Sequence, residues 1–233
     1  MSAIAVIPTY NERDNLETLV QRIHEAAPEL HILIVDDASP DGTGDLADRL
    51  SEAEPGRVFV LHRAGKEGLG RAYVAGFRWV LERDYEFVAQ MDGDLSHDPS
   101  YLPQMLDRIQ HCDLVLGSRY VNGICVVNWD LKRLILSKLA GKYVRTITGI
   151  PFSDPTSGYK CWRRATLEAI GLEDCFSIGY VFLVETTFKA FRKGLRIEEV
   201  PIIFYERNLG RSKMDWRVIS EAMLNVIKLR FRR

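Results

Sequence analysis

Two carboxylates, Asp92 and Asp94, follow the run Tyr85-Glu86-Phe87-Val88-Ala89-Gln90-Met91, which reads as a buried strand. Such a pair can hold a divalent cation, and the cation can hold a diphosphate. The triplet Asp92-Gly93-Asp94 suits an ordinary turn equally well, so its neighbours decide. Two more polar clusters stand where apolar runs end. Pro8-Thr9-Tyr10-Asn11-Glu12 follows Ile4 to Ile7, and Asp36-Asp37 with Ser39-Pro40-Asp41-Gly42-Thr43 follows His31 to Val35. Close carboxylates repel, so acidic clusters at several strand ends are poorly explained by stability. Asp37, Asp92 and Asp94 are therefore assigned to function, whereas Asn11, Asp41 and Thr43 read as cap and turn residues. His97 reads as a loop hydrogen-bonding residue. No glycine-rich dinucleotide fingerprint or Walker loop follows the first strand. Gly65 to Gly70 lacks the Lys-Ser/Thr ending and reads as a helix-entry turn. A bound diphosphate would then be neutralised by a metal and by side chains.

The elements that must position these groups alternate. Strands are predicted at Ile4 to Ile7, His31 to Val35, Arg57 to Leu61, Phe87 to Met91 and Leu114 to Gly117. Between them, apolar residues at helical spacing (Leu16, Leu19, Val20 and Ile23 in the first case) mark amphipathic helices. Repeated β-α with continuous apolar strands argues for an α/β fold, a parallel sheet covered by helices on both faces. In such sheets ligands bind at the carboxyl ends of the strands, where the polar clusters lie. The second half is less regular: a loop at 119–129, a basic amphipathic helix from Leu131 to Ile147, a turn-rich Pro151 to Gly158, a helix from Tyr180 to Arg192. One or two strands between Leu195 and Tyr205, a loop from Asn208 to Lys213 and a helix from Trp216 to Phe231 complete it. No linker is evident, so residues 1–233 form one domain, with halves at about 1–118 and 119–233.

The 233 residues are 46% hydrophobic, enough for a sizeable core, and the net charge of −1 gives no global attraction for nucleic acid. Four cysteines form no CxxC pair and read as reduced thiols of a cytosolic protein. The first strand begins at once, leaving no room for a targeting segment, and no run reaches the ~20 apolar residues of a membrane span. A lipid substrate would be met from the membrane surface. Between Trp129 and Ile147, Leu131, Leu134, Ile135, Leu139, Tyr143, Val144 and Ile147 alternate with Lys132, Arg133, Lys138, Lys142 and Arg145. That pattern fits an interfacial helix on anionic lipid and a surface helix packed on the core alike.

Val6-Ile7-Pro8-Thr9-Tyr10-Asn11-Glu12, Val35-Asp36-Asp37-Ala38-Ser39-Pro40-Asp41-Gly42-Thr43 and Met91-Asp92-Gly93-Asp94-Leu95-Ser96-His97 resemble family 2 glycosyltransferases, more narrowly the dolichol-phosphate (polyprenol-phosphate) mannose synthases. The resemblance continues through Gly117-Ser118-Arg119-Tyr120, Trp129-Asp130-Leu131-Lys132-Arg133, Asp154-Pro155-Thr156-Ser157-Gly158-Tyr159, Gly179-Tyr180-Val181-Phe182 and Arg207-Asn208-Leu209-Gly210-Arg211-Ser212-Lys213. It implies the glycosyltransferase A fold, a mostly parallel Rossmann-like sheet. It further implies that Pro8, Tyr10, Glu12, Val35, Asp37 and Gly93 line the donor nucleotide, and that Asp92 and Asp94 face its diphosphate and a Mg²⁺ or Mn²⁺. Ser96 stands where some relatives have a glutamine metal ligand. Arg207 and Lys213 would close over the donor phosphates, and Arg119 and Arg133 would bind the acceptor phosphate, giving Asp94, Arg119 and Arg133 as the catalytic set.

The implied reaction is inverting transfer of mannose from GDP-mannose to a dolichyl or polyprenyl phosphate. It would occur at the cytoplasmic face of a membrane by a peripheral protein, a separate membrane-anchoring partner being one way to hold it there. A nearer alternative is a UDP-sugar donor such as UDP-glucose. Alternatives of other classes are a DxD phosphohydrolase with Asp92 as nucleophile and a receiver-type binding protein using Asp36-Asp37.

Overall fold

The computed structural model describes residues 2–177, 179–205 and 216–231, with side chains in the last segment from residue 222 onward. The chain runs β1 (Ala3–Thr9), α1 (Arg13–Ala26), β2 (His31–Asp36), α2 (Thr43–Ala53), β3 (Val58–His62), α3 (Leu69–Leu81) and β4 (Phe87–Gln90). It continues through α4 (Leu102–Arg108), flanked by 3-10 turns, β5 (Leu114–Ser118), β6 (Val126–Val127) and α5 (Leu131–Thr148). Then come β7 (Lys160–Arg163), α6 (Arg164–Ala169), α7 (Val181–Arg192), β8 (Ile197–Pro201), β9 (Phe204–Tyr205) and α8 (Trp216–Phe231).

Strand periodicity of two divides the core. Ala5 and Ile7 of β1 and Ile32 and Ile34 of β2 face α1, α2 and α4, while Ile4, Val6, Leu33 and Val35 face α3 and α7. Helix α3 lies close against the sheet because residue 76 is glycine. A Cβ there would come 2.5 Å from Val6 Cγ1 and 3.1 Å from Val35 Cγ2. A third cluster, containing Val144, Val184, Phe188, Val226 and Leu229, joins α5, α7 and α8.

The main sheet has the order β3-β2-β1-β4-β7-β5-β8, and β7 is antiparallel to both its neighbours. The expected mostly parallel sheet with helices on both faces is therefore present. Residues 160–169 were not anticipated as strand and helix. Lys160-Cys161-Trp162-Arg163 is short and charged at both ends, so it carries no apolar run to find. The predicted loop at 119–129 also contains β6, which pairs with β9 in a separate two-stranded sheet.

The reversed strand has a functional consequence. Because β7 starts where β4 and β5 end, Lys160 pairs with Gln90 and Leu116. The preceding turn, residues 154–159, is thereby carried to the carboxyl-end rim. Ser157 Oγ donates to Gly117 O at 2.5 Å and the Gly117 amide to Tyr159 O at 2.8 Å, fixing that turn to β5.

Lys160 is fully buried; its ammonium donates to Leu183 O (2.5 Å), Thr186 Oγ1 (3.2 Å) and Thr187 Oγ1 (2.9 Å), tying β7 to α7. Burial lowers Lys160 from its ordinary 10.5 to about 7. Between these values the unfolded chain holds a proton here that the folded chain has released, so this group makes stability rise with pH across that window. Lys160→Met is expected to remove that rise, an effect on the order of a few kcal/mol. Urea unfolding of both proteins from pH 7 to 10 checks it, and identical pH slopes would count against it.

Candidate active site

Strands β1, β2 and β3 are laid down in one direction and the chain then crosses back to place β4 beside β1. A crevice opens at such a reversal, outside the carboxyl ends of the strands. Asp92-Gly93-Asp94 follows β4 at that point. A Cβ on Gly93 would lie 3.3 Å from Thr9 Cγ2, 3.4 Å from Pro8 O and 3.6 Å from Glu12 Cγ. Glycine thus lets the triplet lie against the end of β1, beside Pro8 and Glu12. Three non-glycine residues with positive φ, Asn11 (61°), Ala38 (54°) and Leu95 (63°), follow β1, β2 and β4 at this rim. Left-handed backbone costs alanine and leucine roughly 1–2 kcal/mol each, and such outliers concentrate where function holds them.

At the end of β2 the adjacent aspartates differ. Asp36 accepts from Thr9 Oγ1 (3.1 Å), Ser39 N (3.0 Å) and Ser39 Oγ (2.6 Å), so it braces the turn. Asp37 is buried and paired with the Arg63 guanidinium, which also reaches Glu67 at 2.5 Å. Burial raises the Asp37 carboxyl and Arg63 offsets part of that rise. Lys66 Nζ lies 3.8 Å from the Tyr10 ring centroid, closing the loop after β3 onto β1. Arg63 and Lys66 were missed from sequence. The rule that polar residues collect at strand ends finds Arg63, which directly follows β3. Val35, expected to line the donor nucleotide, has its side chain fully buried facing α3, on the core side of the period-two alternation, so only its backbone is left to border the crevice. Asp41 and Thr43 are turn groups as expected, with Asp41 Oδ1 accepting from Thr43 N (3.0 Å) and Thr43 Oγ1 (2.6 Å).

At the triplet, Tyr73 Oη donates to Asp92 Oδ1 at 3.1 Å. Burial first, then the Asp92 charge, pushes the Tyr73 phenol well up, so it stays a neutral donor. The Asp92 amide donates to His97 Nδ1 at 3.0 Å. That leaves the ring proton on Nε2 and makes His97 the hydrogen-bonding residue expected of it. Asp94 is buried and its Oδ1 accepts from the Ser96 amide at 3.0 Å. The Ser96 hydroxyl is buried with no hydrogen-bond partner among the described residues. Two hard carboxylates beside an unsatisfied buried hydroxyl suit Mg²⁺ or Mn²⁺, which take few protein ligands and complete their shells with phosphate and water. No cluster of three His, Cys, Asp or Glu side chains able to hold a metal occurs among the described residues.

The expected acceptor cations meet on one aromatic ring. Arg133 Cζ lies 4.5 Å and Arg119 Cζ 5.6 Å from the Trp129 ring centroid. Trp129 meets Phe204 edge-on at 5.5 Å, Phe204 meets His97 at 5.5 Å, and His97 stacks on Tyr159 at 4.9 Å. An aromatic chain therefore connects the arginines to the amide of Asp92. Arg119 is not simply presented to solvent. Its Nε and Nη2 donate to Asp154 Oδ2 (2.6 Å) and Oδ1 (2.7 Å), with Nη2 also reaching Thr156 Oγ1 at 2.9 Å. Arg207 and Lys213 lie outside the described residues.

A model of glycosyl transferase family 2 matches residues 4–171. The chain belongs to glycosyltransferase family 2. It is 50% identical over 224 residues to a polyprenol monophosphomannose synthase of Mycolicibacterium smegmatis, covering 96% of this chain and 84% of that one. It is 48% identical over 228 residues to an undecaprenyl-phosphate mannosyltransferase of Micrococcus luteus, covering 98% and 93%. Among solved structures, glucosyl-3-phosphoglycerate synthase from Mycobacterium tuberculosis, in complex with Mn²⁺, UDP and glucosyl-3-phosphoglycerate, superposes with a TM-score of 0.70 over 98% of this chain and 78% of its own, at 17% identity. That likeness establishes the glycosyltransferase A fold for this family 2 glycosyltransferase.

Within the glycosyltransferase, Asp154 and Arg119 are a buried pair. Burial alone would raise Asp154, but the Arg119 guanidinium outweighs it and holds the carboxyl below its ordinary 3.8. A depressed carboxyl stabilises the fold above its unfolded pKa, and that contribution is lost as pH falls through the folded value. Asp154→Asn is expected to cost about 3–5 kcal/mol by stranding Arg119, and Arg119→Met/Asp154→Leu to recover much of it. Denaturant midpoints measure both, and Asp154→Asn is expected to flatten the pH dependence below about pH 4.

Proposed function

We propose that the chain transfers mannose from GDP-mannose to the phosphate of a polyprenyl or dolichyl lipid at a membrane surface, inverting the anomeric carbon. The observation that supports this reading is the run of contacts from Arg119 and Arg133 through Trp129, Phe204 and His97 to the Asp92 amide, which groups two guanidinium ions with the carboxylates of Asp92 and Asp94. The curated relatives named for polyprenyl-phosphate mannose transfer, each about half identical over nearly the whole chain, support it.

In this reading Tyr10 with Lys66 and Asp37 with Arg63 hold the nucleoside, and Pro8, Glu12 and Gly93 border the diphosphate. Asp92, Asp94 and Ser96 would hold Mg²⁺ or Mn²⁺, which would supply positive charge to the nucleoside diphosphate leaving group. The acceptor needs no general base, because a phosphate monoester is largely doubly ionised near neutrality, with a second pKa of about 6. It needs relief from repulsion by the donor. Arg133 supplies a guanidinium fork, and Arg119 adds its Nη1 group, which lies outside the fork that grips Asp154. Arg207 and Lys213 are assigned to the donor phosphates on the motif resemblance alone. Attack by the acceptor oxygen opposite the leaving diphosphate inverts the configuration, giving a β-linked product from an α-linked donor.

No helix among the described residues is long and apolar enough to cross a membrane. In this proposal the lipid is met at a membrane surface on the cytoplasmic side, with a separate membrane-anchoring protein as one way to hold the chain there.

A panel of nucleotide sugars assayed with a short polyprenyl phosphate tests this. Mannose is expected in the lipid fraction from GDP-mannose, dependent on a divalent cation and lost on chelation. Asp92→Asn and Asp94→Asn are expected to lower the rate at least about a hundredfold, and Arg133→Gln to act chiefly on the KM for lipid phosphate. No transfer from any nucleotide sugar to any lipid phosphate would reject the reading, and transfer from UDP-glucose alone would reassign the donor.

A further inference from the structure

Helix α5 contributes Arg133 to the crevice, but most of its chemistry lies elsewhere. From Leu131 to Thr148 it carries Lys132, Arg133, Lys138, Lys142 and Arg145 and no acidic residue. Its outer ridge is apolar: Leu131, Ile135 and Leu139 are 69%, 49% and 58% exposed. Beneath one edge of that ridge lies a cavity of about 110 Å³, lined by Tyr120, Ser137, Lys138, Gly141, Arg145 and Ser153.

The cavity is built for an anion. No carboxylate lines it, and Glu199 behind it is bonded to the Ser153 and Asp154 amides at 2.8 and 3.1 Å. Lys138 and Arg145 have no carboxylate partner among the described residues; Lys138 Nζ instead sits 3.9 Å over the Tyr120 ring. Tyr120 Oη donates to Ser137 Oγ at 2.7 Å, which leaves the serine proton to donate in turn. There is room at Gly141, where a Cβ would have Pro155 Cδ at 4.0 Å as its nearest neighbour. Lys138 and Arg145 follow Arg133 by five and twelve residues, about 7.5 and 18 Å along the helix.

We propose that this cavity binds the phosphate of an anionic phospholipid, as a second anion site separate from the acceptor phosphate. Exposed leucines and isoleucine beside cations that have no carboxylate partner among the described residues match the layering of a bilayer surface, where apolar side chains enter the acyl boundary and cations meet headgroup phosphates. Headgroup binding at Lys138 and Arg145 would set α5 on the membrane, with Arg133 toward the lipid-phosphate acceptor. The inference rests on the proposed lipid substrate for its purpose, but the site itself can be read without catalysis.

The test is sedimentation of the full chain with phosphatidylcholine vesicles, with and without phosphatidylglycerol. Wild type is compared with Lys138→Gln/Arg145→Gln and with the charge-matched Lys132→Gln/Lys142→Gln. Each cation near an anionic surface is worth about fivefold in partitioning, so diffuse charge alone weakens both variants equally. A pocket predicts that Lys138→Gln/Arg145→Gln loses about tenfold more, through its charge-assisted hydrogen bonds. Equal losses, or no enrichment of wild type on anionic vesicles, would overturn the proposal. Thermal stabilisation by inorganic phosphate that the pocket variant loses, with no difference between the variants on vesicles, would assign the cavity to a soluble phosphate and overturn the lipid source. Mannosyl transfer in detergent to a short polyprenyl phosphate is the separating arm. Selective loss in the pocket variant would make the cavity part of the acceptor subsite and overturn a separate site. Absence of transfer in wild type would count against the proposed function and leave the vesicle result standing.

Discussion

Repulsion between phosphates is the constraint around which this molecule is arranged. A reaction between a phosphate nucleophile and a diphosphate leaving group brings several negative charges together, and Asp92 and Asp94 add two more. Nothing can occur there unless positive charge is held on both sides of the reacting carbon. In the proposed reading, Asp92 and Asp94 with a divalent cation answer this on one side, and Arg119 and Arg133 on the other. Trp129, Phe204 and His97 form a run of edge-on ring contacts between the two sides. His97 is the link between them, because it accepts from the Asp92 amide and stands edge-on to Phe204.

The rim is held by interactions that would not be chosen for stability alone. Ala38 and Leu95 take left-handed backbone conformations, and Arg119 and Asp154 are buried as ions whose desolvation offsets much of their attraction. What these features secure is position. Asp154 anchors the turn before β7 and, through both oxygens, orients Arg119 toward Trp129. The antiparallel β7 makes this possible by delivering residues 154–159 to the same edge as Asp92.

Much of the first half was legible because its physics is local. Continuous apolar strands, amphipathic helices and polar residues at strand ends follow from short-range periodicity, and they locate Pro8, Glu12, Asp37, Asp92 and Asp94. Residues whose roles depend on distant partners were not legible. Tyr73 lies on the buried face of α3 and looks like core until its hydroxyl is seen on Asp92. Asp154 stands 35 residues from Arg119, and β7 lacks the apolar run that marks a strand. Val35 shows the opposite limit: the motif resemblance names the residue, but strand alternation turns its side chain into the core.

The central claim is that Asp92 and Asp94 bind the donor diphosphate through a divalent cation, with guanine as the base. Calorimetric titration of the wild-type protein with GDP and with UDP, in the presence of Mn²⁺ and after chelation, tests it most directly. The account requires GDP to bind more tightly than UDP, with most of that affinity lost when the cation is removed. GDP affinity indifferent to the cation, or UDP bound as tightly as GDP, would contradict it.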